Sequence, residues 1–329
     1  MRYGIFDHMD QGARPLSEQY ESRLRLIEAY DRGGFHAYHL AEHHATPLGM
    51  APSPAVFLAA VAQRTKRLRF GPLVYILTLQ SPLRAYEEIC MLDQMSGGRL
   101  ELGMGKGISP IELAYFGADP AQAQSIYQEA SAIIMKAFSE KRLTHHGAHF
   151  HFDDVPIELV PLQRPHPPLW LGMGNPDHTR HAALNKIHMV CNGTTSQVRV
   201  MTDRYREEWN KAGGAPQDIP FLGVNRHIVV ADTDAEAYAS PSPRTKRGTA
   251  ILPSSGARKG RRRRAPAIRR TSTNSSGAAS ASSGRRKPCV TWWRTRLRRP
   301  ASTICCAGSR SVACHMSRRP ARPNCSSST

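Results

Sequence analysis

Acidic residues are missing from the last part of this chain. All 26 Asp and Glu lie before Ser240, whereas 22 of the 45 Lys and Arg lie after it. Residues 1–240 are left with 23 basic against 26 acidic residues, the balance of an ordinary soluble domain, so the formal net charge of +19 belongs to the tail. A basic whole-chain composition ordinarily suggests a nucleic-acid partner. Its confinement to the tail removes that reading from the first 240 residues. Cysteine is scarce there too: Cys90 and Cys191 alone precede Ser240, which excludes a disulfide framework and points to a reducing compartment. Long apolar runs are also lacking. The longest, around residues 51–62, is too short to span a bilayer, and MRYGIFDHMD has no apolar signal core. A cytoplasmic protein without membrane association is expected.

What is present in residues 1–240 is an alternation of short apolar runs with longer stretches of helical period. Strands are expected at residues 3–6, 37–41, 68–76, 100–104, 169–172, 188–191 and 221–230. Helices are expected at 16–32, 53–64, 82–95, 125–139, 177–184 and 196–212. Strict alternation with apolar strands predicts an α/β protein with a parallel sheet covered by helices. Seven such strands leave a doubly wound sheet or a (β/α)8 TIM barrel short of its last strand and helices. Residues 105–168 exceed one connection and contain a hairpin turning at Gly147-Ala148, expected as an insertion on the rim.

Beyond Ser240 the periodicity stops, and Arg, Ser, Pro, Ala and Gly dominate. Such a composition cannot bury enough apolar surface to fold. The expected division is therefore a barrel over 1–240 and a disordered basic tail over 241–329. A true basic tail would neutralise phosphates. An out-of-frame reading of a GC-rich gene would also give this composition, including the stray Trp292-Trp293 and Cys305-Cys306, and is the preferred explanation. Without a closing strand the sheet is expected to end in open edges.

Three stretches could carry chemistry. Leu40-Ala41-Glu42-His43-His44 ends the second strand, and in a barrel the carboxyl ends of strands face the site. Neighbouring residues on a strand point to opposite faces, so one of His43 and His44 is expected in the pocket. A pocket histidine can carry protons near neutral pH if a carboxylate fixes its other nitrogen, and Glu42 is at hand. A zinc centre would need further ligands at strand ends, which are not seen. In the second stretch, Ser96-Gly97-Gly98 stops a helix, and Gly105-Lys106-Gly107 follows the fourth strand. Glycine lets backbone approach a ligand, and Lys106 supplies a charge for a phosphate. In the third, Gly172-Met173-Gly174-Asn175-Pro176-Asp177 joins a strand to a helix start, a natural anion site. The run His145-His146-Gly147-Ala148-His149-Phe150-His151 reads as a solvated hairpin, with His149 and His151 on one face and no carboxylate to complete a metal site.

With AEHH, LDQMSGGR, LELGMGKG and LGMGNPDHT in place, the chain resembles the bacterial-luciferase-like family of flavin-dependent monooxygenases, from the first strand to about Tyr238. The resemblance implies a TIM barrel holding FMN at its carboxyl ends, often as a homodimer packed through early helices. It also implies reduced FMN, supplied by a flavin reductase or made with NAD(P)H, reacting with O2 to a C4a-hydroperoxide that oxygenates a small organic substrate. His43 matches the family's catalytic histidine. Lys106 stands where the luciferases place a phosphate-binding arginine, and Gly174, Asn175 and Thr179 match the phosphate loop. Leu73-Val74 falls where the family often has a non-proline cis peptide beside the flavin, and Glu42 completes the candidate cofactor-binding residues. Gly105 replaces the reactive cysteine of the light-emitting enzymes, which argues against a long-chain aldehyde substrate. Two alternatives stand beside this reading: deazaflavin-dependent hydride transfer on the same barrel, and an inactive barrel whose tail binds nucleic acid.

Overall fold

The computed structural model describes residues 1–228, 231–239 and 302–307. The chain divides into two units, Met1–Val229 with Ser302–Thr329, and Val230–Ala301. In the second unit the described helix Asp234–Ala239 starts where Thr233 Oγ1 accepts the Glu236 N–H at 3.2 Å. The remainder of the expected disordered tail lies outside the described residues, as do Val229 and Val230 of the seventh expected strand.

The first unit is built on β1 (Arg2–Asp7), β2 (Ala37–Leu40), β3 (Arg69–Pro72), β4 (Tyr75–Ile76) and β5 (Leu102–Gly105). After these come the hairpin β6 (Arg142–His146) and β7 (His151–Pro156), then β8 (Leu169–Met173), β9 (His188–Cys191) and β10 (Leu222–Ile228). The helices between them are α1 (Leu16–Arg32), α2 (Pro54–Arg64), α3 (Pro82–Ser96), α4 (Pro110–Tyr115), α5 (Ala123–Ala137), α6 (Thr179–Leu184) and α7 (Thr195–Lys211). The main sheet runs β3-β2-β1-β11-β10-β9-β8-β5-β4, where β11 is Ser302–Ala307. β3 and β4 are halves of one expected strand, interrupted at Leu73-Val74. Since β4 pairs with β5 and Phe70 bridges Leu100, the ladder returns to the strand it started from.

Two expectations are revised here. The gap beside β10 is not an open edge: the β11 backbone lies antiparallel to both β1 and β10. Six residues of the region expected to lack regular structure are thus a strand, and antiparallel pairing departs from a (β/α)8 pattern, whose eighth strand is parallel. A β-strand ladder needs backbone groups more than favourable composition, which is why composition could not reveal it.

The periodicities have direct physical outcomes. Helices turn one apolar face to the sheet, and Tyr38, Phe70, Leu58, Val61 and Ile89 are all fully buried there; each such side chain contributes about 1.5–3 kcal/mol on burial. α3 stops at Gly97 and Gly98, both left-handed, with φ of 68° and 79°, a region costly for residues with a Cβ. At Gly71 a Cβ would sit 1.6 Å from the Glu101 carbonyl oxygen, so glycine permits β3 to approach the start of β5.

The inside of the ring is a different environment. His39 of β2 meets Trp170 of β8 with centroids 5.0 Å apart, and Trp170 also lies 5.0 Å from His188 of β9. These strands are not neighbours of β2, so the contact crosses the lumen. Near the amino ends of the strands, the buried Glu101 carboxylate has His36 Nε2 at 3.3 Å, His39 Nε2 at 3.2 Å and Arg69 Nε at 2.8 Å. Burial alone would raise its proton affinity, but the histidines hold it well below the usual carboxylate range. Above this layer Leu73, Trp170 and Val190 pack with Phe6, Val74 and Phe221.

Candidate functional site

At the carboxyl end of β1, Asp7 accepts from Tyr38 Oη at 2.7 Å and from the Met9 N–H at 3.0 Å, and pairs with Arg23 at 3.2 Å. This fixes the turn carrying His8, whose ring stacks on His43 with centroids 5.5 Å apart and planes 14° from parallel. Beside them, just beyond the end of β2, stand Glu42, His43 and His44, whose side chains take different partners.

His43 Nδ1 lies 3.2 Å from Glu112 Oε1, and the other carboxylate oxygen accepts the His44 N–H at 3.0 Å. An ionised carboxylate only accepts, so in this contact Nδ1 carries the hydrogen and Nε2 is the ring nitrogen without one. Glu112 thus does for His43 what Glu42 was expected to do. Glu42 is engaged elsewhere, with Oε1 2.9 Å from His44 Nε2 and Oε2 accepting the Ile76 N–H at 2.9 Å. Burial raises its proton affinity, while His44 and the Ile76 N–H oppose the rise. Both Glu42 oxygens thus have partners, one on the His44 side chain and one on the β4 backbone. Gly49 covers the other side of His43: a Cβ there would lie 2.6 Å from the His43 Cβ.

The remaining predicted residues separate. The Leu73–Val74 peptide is cis, and both side chains belong to the lumen cluster. Thr78 Oγ1 donates to the Lys106 carbonyl at 2.8 Å, tying the end of β5 to the β4 turn. The exposed Lys106 side chain forms no ion pair among the described residues. Gly174 and Asn175 are exposed after β8, and the Asn175 side chain accepts the Asp177 N–H at 3.0 Å. Thr179 is fully buried and donates its hydroxyl hydrogen to the Pro176 carbonyl at 2.6 Å. A single 3-10 turn, Pro176–His178, stands between β8 and α6, so the expected direct strand-to-helix anion site is altered.

Sequence reasoning did not identify Glu112, because residues 105–168 read as an insertion. The available signal was Ser109-Pro110-Ile111-Glu112, a helix-start pattern; Ser109 Oγ accepts the Glu112 N–H at 3.3 Å and opens α4. His8 carried no such signal. An open pocket of about 420 Å3 adjoins this region, lined by Thr78, Gln80, Phe116, Ile126, His149 and Phe150. Phe116 also meets the His44 ring edge-on at 4.6 Å.

The hairpin also departs from its expected pattern. A register shift between Leu143 and His145 breaks simple alternation. His146 pairs with His151 across the strands, while His149 turns to Ser125 at 3.0 Å. Cys90 and Cys191 are buried free thiols, both pushed up to about 11 by burial and hence poorly nucleophilic. Among the described residues, no helix is long and apolar enough to cross a membrane.

The sequence profile of luciferase-like monooxygenases matches residues 1–286. The chain belongs to the luciferase-like monooxygenase family. The match continues past Tyr238, farther than the motifs indicate. Among family relatives, Uncharacterized protein y4wF of Sinorhizobium fredii is 49% identical over 247 residues, covering 75% of this chain and 72% of that protein. The oxygenase component of the flavin-dependent trigonelline monooxygenase of Acinetobacter baylyi is 28% identical, covering 73% and 68%. In fold, the chain resembles the monooxygenase RslO1 of Streptomyces bottropensis, with TM-score 0.66, 27% identity and 76% of each chain covered. It also resembles the oxygenating constituent of 3,6-diketocamphane monooxygenase from Pseudomonas putida, solved with FMN, at TM-score 0.64 and 22% identity over 73% and 70% of the two chains. An F420-dependent secondary alcohol dehydrogenase has the same fold, at TM-score 0.56 and 19% identity over 67% of each chain.

Proposed function

We propose that this chain is the oxygenating component of a flavin-dependent monooxygenase, using reduced FMN and O2 on a small organic substrate. The observation that carries this reading is the His43–Glu112 pair at the carboxyl rim. Membership of a monooxygenase family and the flavin-dependent relative support it.

The residues fit a flavin in most respects. Lys106 offers an exposed cation, Gly174 has open space where a Cβ would stand, and Leu73 and Val74 supply an apolar wall. Thr179 drops out of the phosphate set. When bound, reduced FMN would supply the electrons and activate O2, and the protein would orient it and limit water access. Within the protein, Glu112 holds the His43 tautomer and leaves Nε2 to move a proton. Lys106 would hold the phosphate as a point charge.

The relative named as an oxygenase component supports a separate flavin reductase as the source of reduced FMN. A cytoplasmic homodimer is part of the same proposal, through α2 and α3, which expose Val56, Met91 and Met95. The test supplies the purified full chain with FMN, NADH and an external flavin reductase and follows oxygen incorporation into a panel of small organic substrates. Incorporation that depends on reduced FMN is expected. Failure to bind FMN, with reduced F420 binding and being oxidised anaerobically by a carbonyl acceptor, would replace this reading by deazaflavin-dependent hydride transfer.

A further inference from the structure

The β6–β7 hairpin turns one face toward α5 and the other toward solvent. On the inner face, Glu129 of α5 accepts the Phe150 N–H at 2.9 Å and lies 3.1 Å from His145 Nε2, which anchors the tip. On the outer face, the cross-strand partners His146 and His151 stack with centroids 4.2 Å apart and planes 6° from parallel. Asp153, two residues beyond His151 on β7, brings Oδ1 to 2.5 Å from His146 Nε2. One donor atom from each of these three exposed residues lies within 4.8 Å of the other two.

We propose that His146, His151 and Asp153 form a site for a borderline-soft divalent transition ion of the Zn2+ class. Two imidazoles and one carboxylate are a donor set suited to such an ion, and three protein ligands leave a coordination position for water. Tetrahedral zinc with ligands at about 2.0–2.2 Å requires donor atoms about 3.3 Å apart. All three side chains are exposed, with room to rotate their donor atoms toward that spacing. Calcium and magnesium prefer oxygen ligands, so the two imidazoles disfavour them. The fold supplies the preorganisation: strand pairing brings together two histidines five positions apart in sequence.

The site adjoins the pocket by chain continuity. His149 and Phe150, between the two histidine ligands, line its wall. An ion bridging His146 and His151 clamps the two strands where they enter the tip, restraining this wall from its outer side.

The test is calorimetric titration of the purified full chain, free of any polyhistidine tag, with Zn2+ and separately with Mg2+. The expected result is a one-to-one Zn2+ event, weakened roughly tenfold or more in both His151→Ala and Asp153→Ala, because loss of a ligand exceeds the effect of loss of an outer-shell partner. His149→Ala, whose side chain is turned to Ser125, is expected to titrate as wild type. These are surface substitutions, and circular dichroism verifies that each variant is folded. Equal Zn2+ titration in wild type, His151→Ala and Asp153→Ala overturns the assignment, as does weakening by His149→Ala equal to that by His151→Ala. Equally tight Mg2+ binding overturns the ion class.

Discussion

His188 should make the fold acid-sensitive in a pH window far from that of an ordinary surface histidine. Its Nδ1 accepts the Phe221 N–H at 2.9 Å, so protonation there removes an acceptor the backbone uses. Burial is the main reason its pKa falls from 6.5 to about 4; Glu101 works the other way. The unfolded chain therefore takes up a proton at a higher pH than the folded one. Stability from this group is full above about 6.5 and is lost as the pH falls toward about 4. At about 1.4 kcal/mol per tenfold change in proton affinity, the loss at pH 4 is about 3 kcal/mol. His188→Asn retains an acceptor oxygen near the Nδ1 position and cannot titrate. Urea unfolding of both proteins between pH 7 and pH 4 isolates the effect, since Glu101 and the other carboxylates are common to both. The wild type should lose about 3 kcal/mol more than the variant over this range. Parallel stability curves would show that His188 is protonated in the native protein and refute the argument.

At the site, His43→Ala should retain FMN but lower oxygenation by about 10²-fold or more, the scale of general acid–base catalysis; unchanged turnover would remove its role. Glu112→Gln should lower turnover and alter its pH profile with little change in thermal stability, since the amide can keep a neutral contact but cannot orient the imidazole by charge. An unaltered pH profile would reduce Glu112 to a packing residue. Lys106→Ala should weaken FMN more than riboflavin in fluorescence titrations, and an equal loss for both would exclude the phosphate contact. Gly49→Ala should displace His43 and depress turnover while leaving the remote His188 acid window in place, measured by activity and urea unfolding together.

Much of the scaffold was legible because period and punctuation agreed. The helix over Leu16–Arg32 and the strand over His188–Cys191 lie where their patterns place them, and Ser96-Gly97-Gly98 marks the end of α3. His43 could be singled out because a polar cluster ended a strand, but its partner could not. Glu112 arrives from α4, 69 positions away, and such a contact has no local period. Thr179 matched a motif, yet its hydroxyl satisfies a carbonyl one turn back, a choice made by local hydrogen bonding. β11 was illegible for a different reason: its pairing is set by neighbouring backbones that composition does not report. The hairpin histidines departed from the expected pattern because His149 lies in the turn before β7 begins at His151, where strand alternation does not apply.

The ionic and aromatic layer around Glu101 gives the ring a direction. His39, Trp170, His188 and Phe221 meet across the lumen at ring spacings of 4.8–6.2 Å. If the proposed flavin is held at the carboxyl rim by Lys106 and Asn175, it and its substrate would share that doorway to His43, and whichever sat nearer the rim would govern the departure of the other.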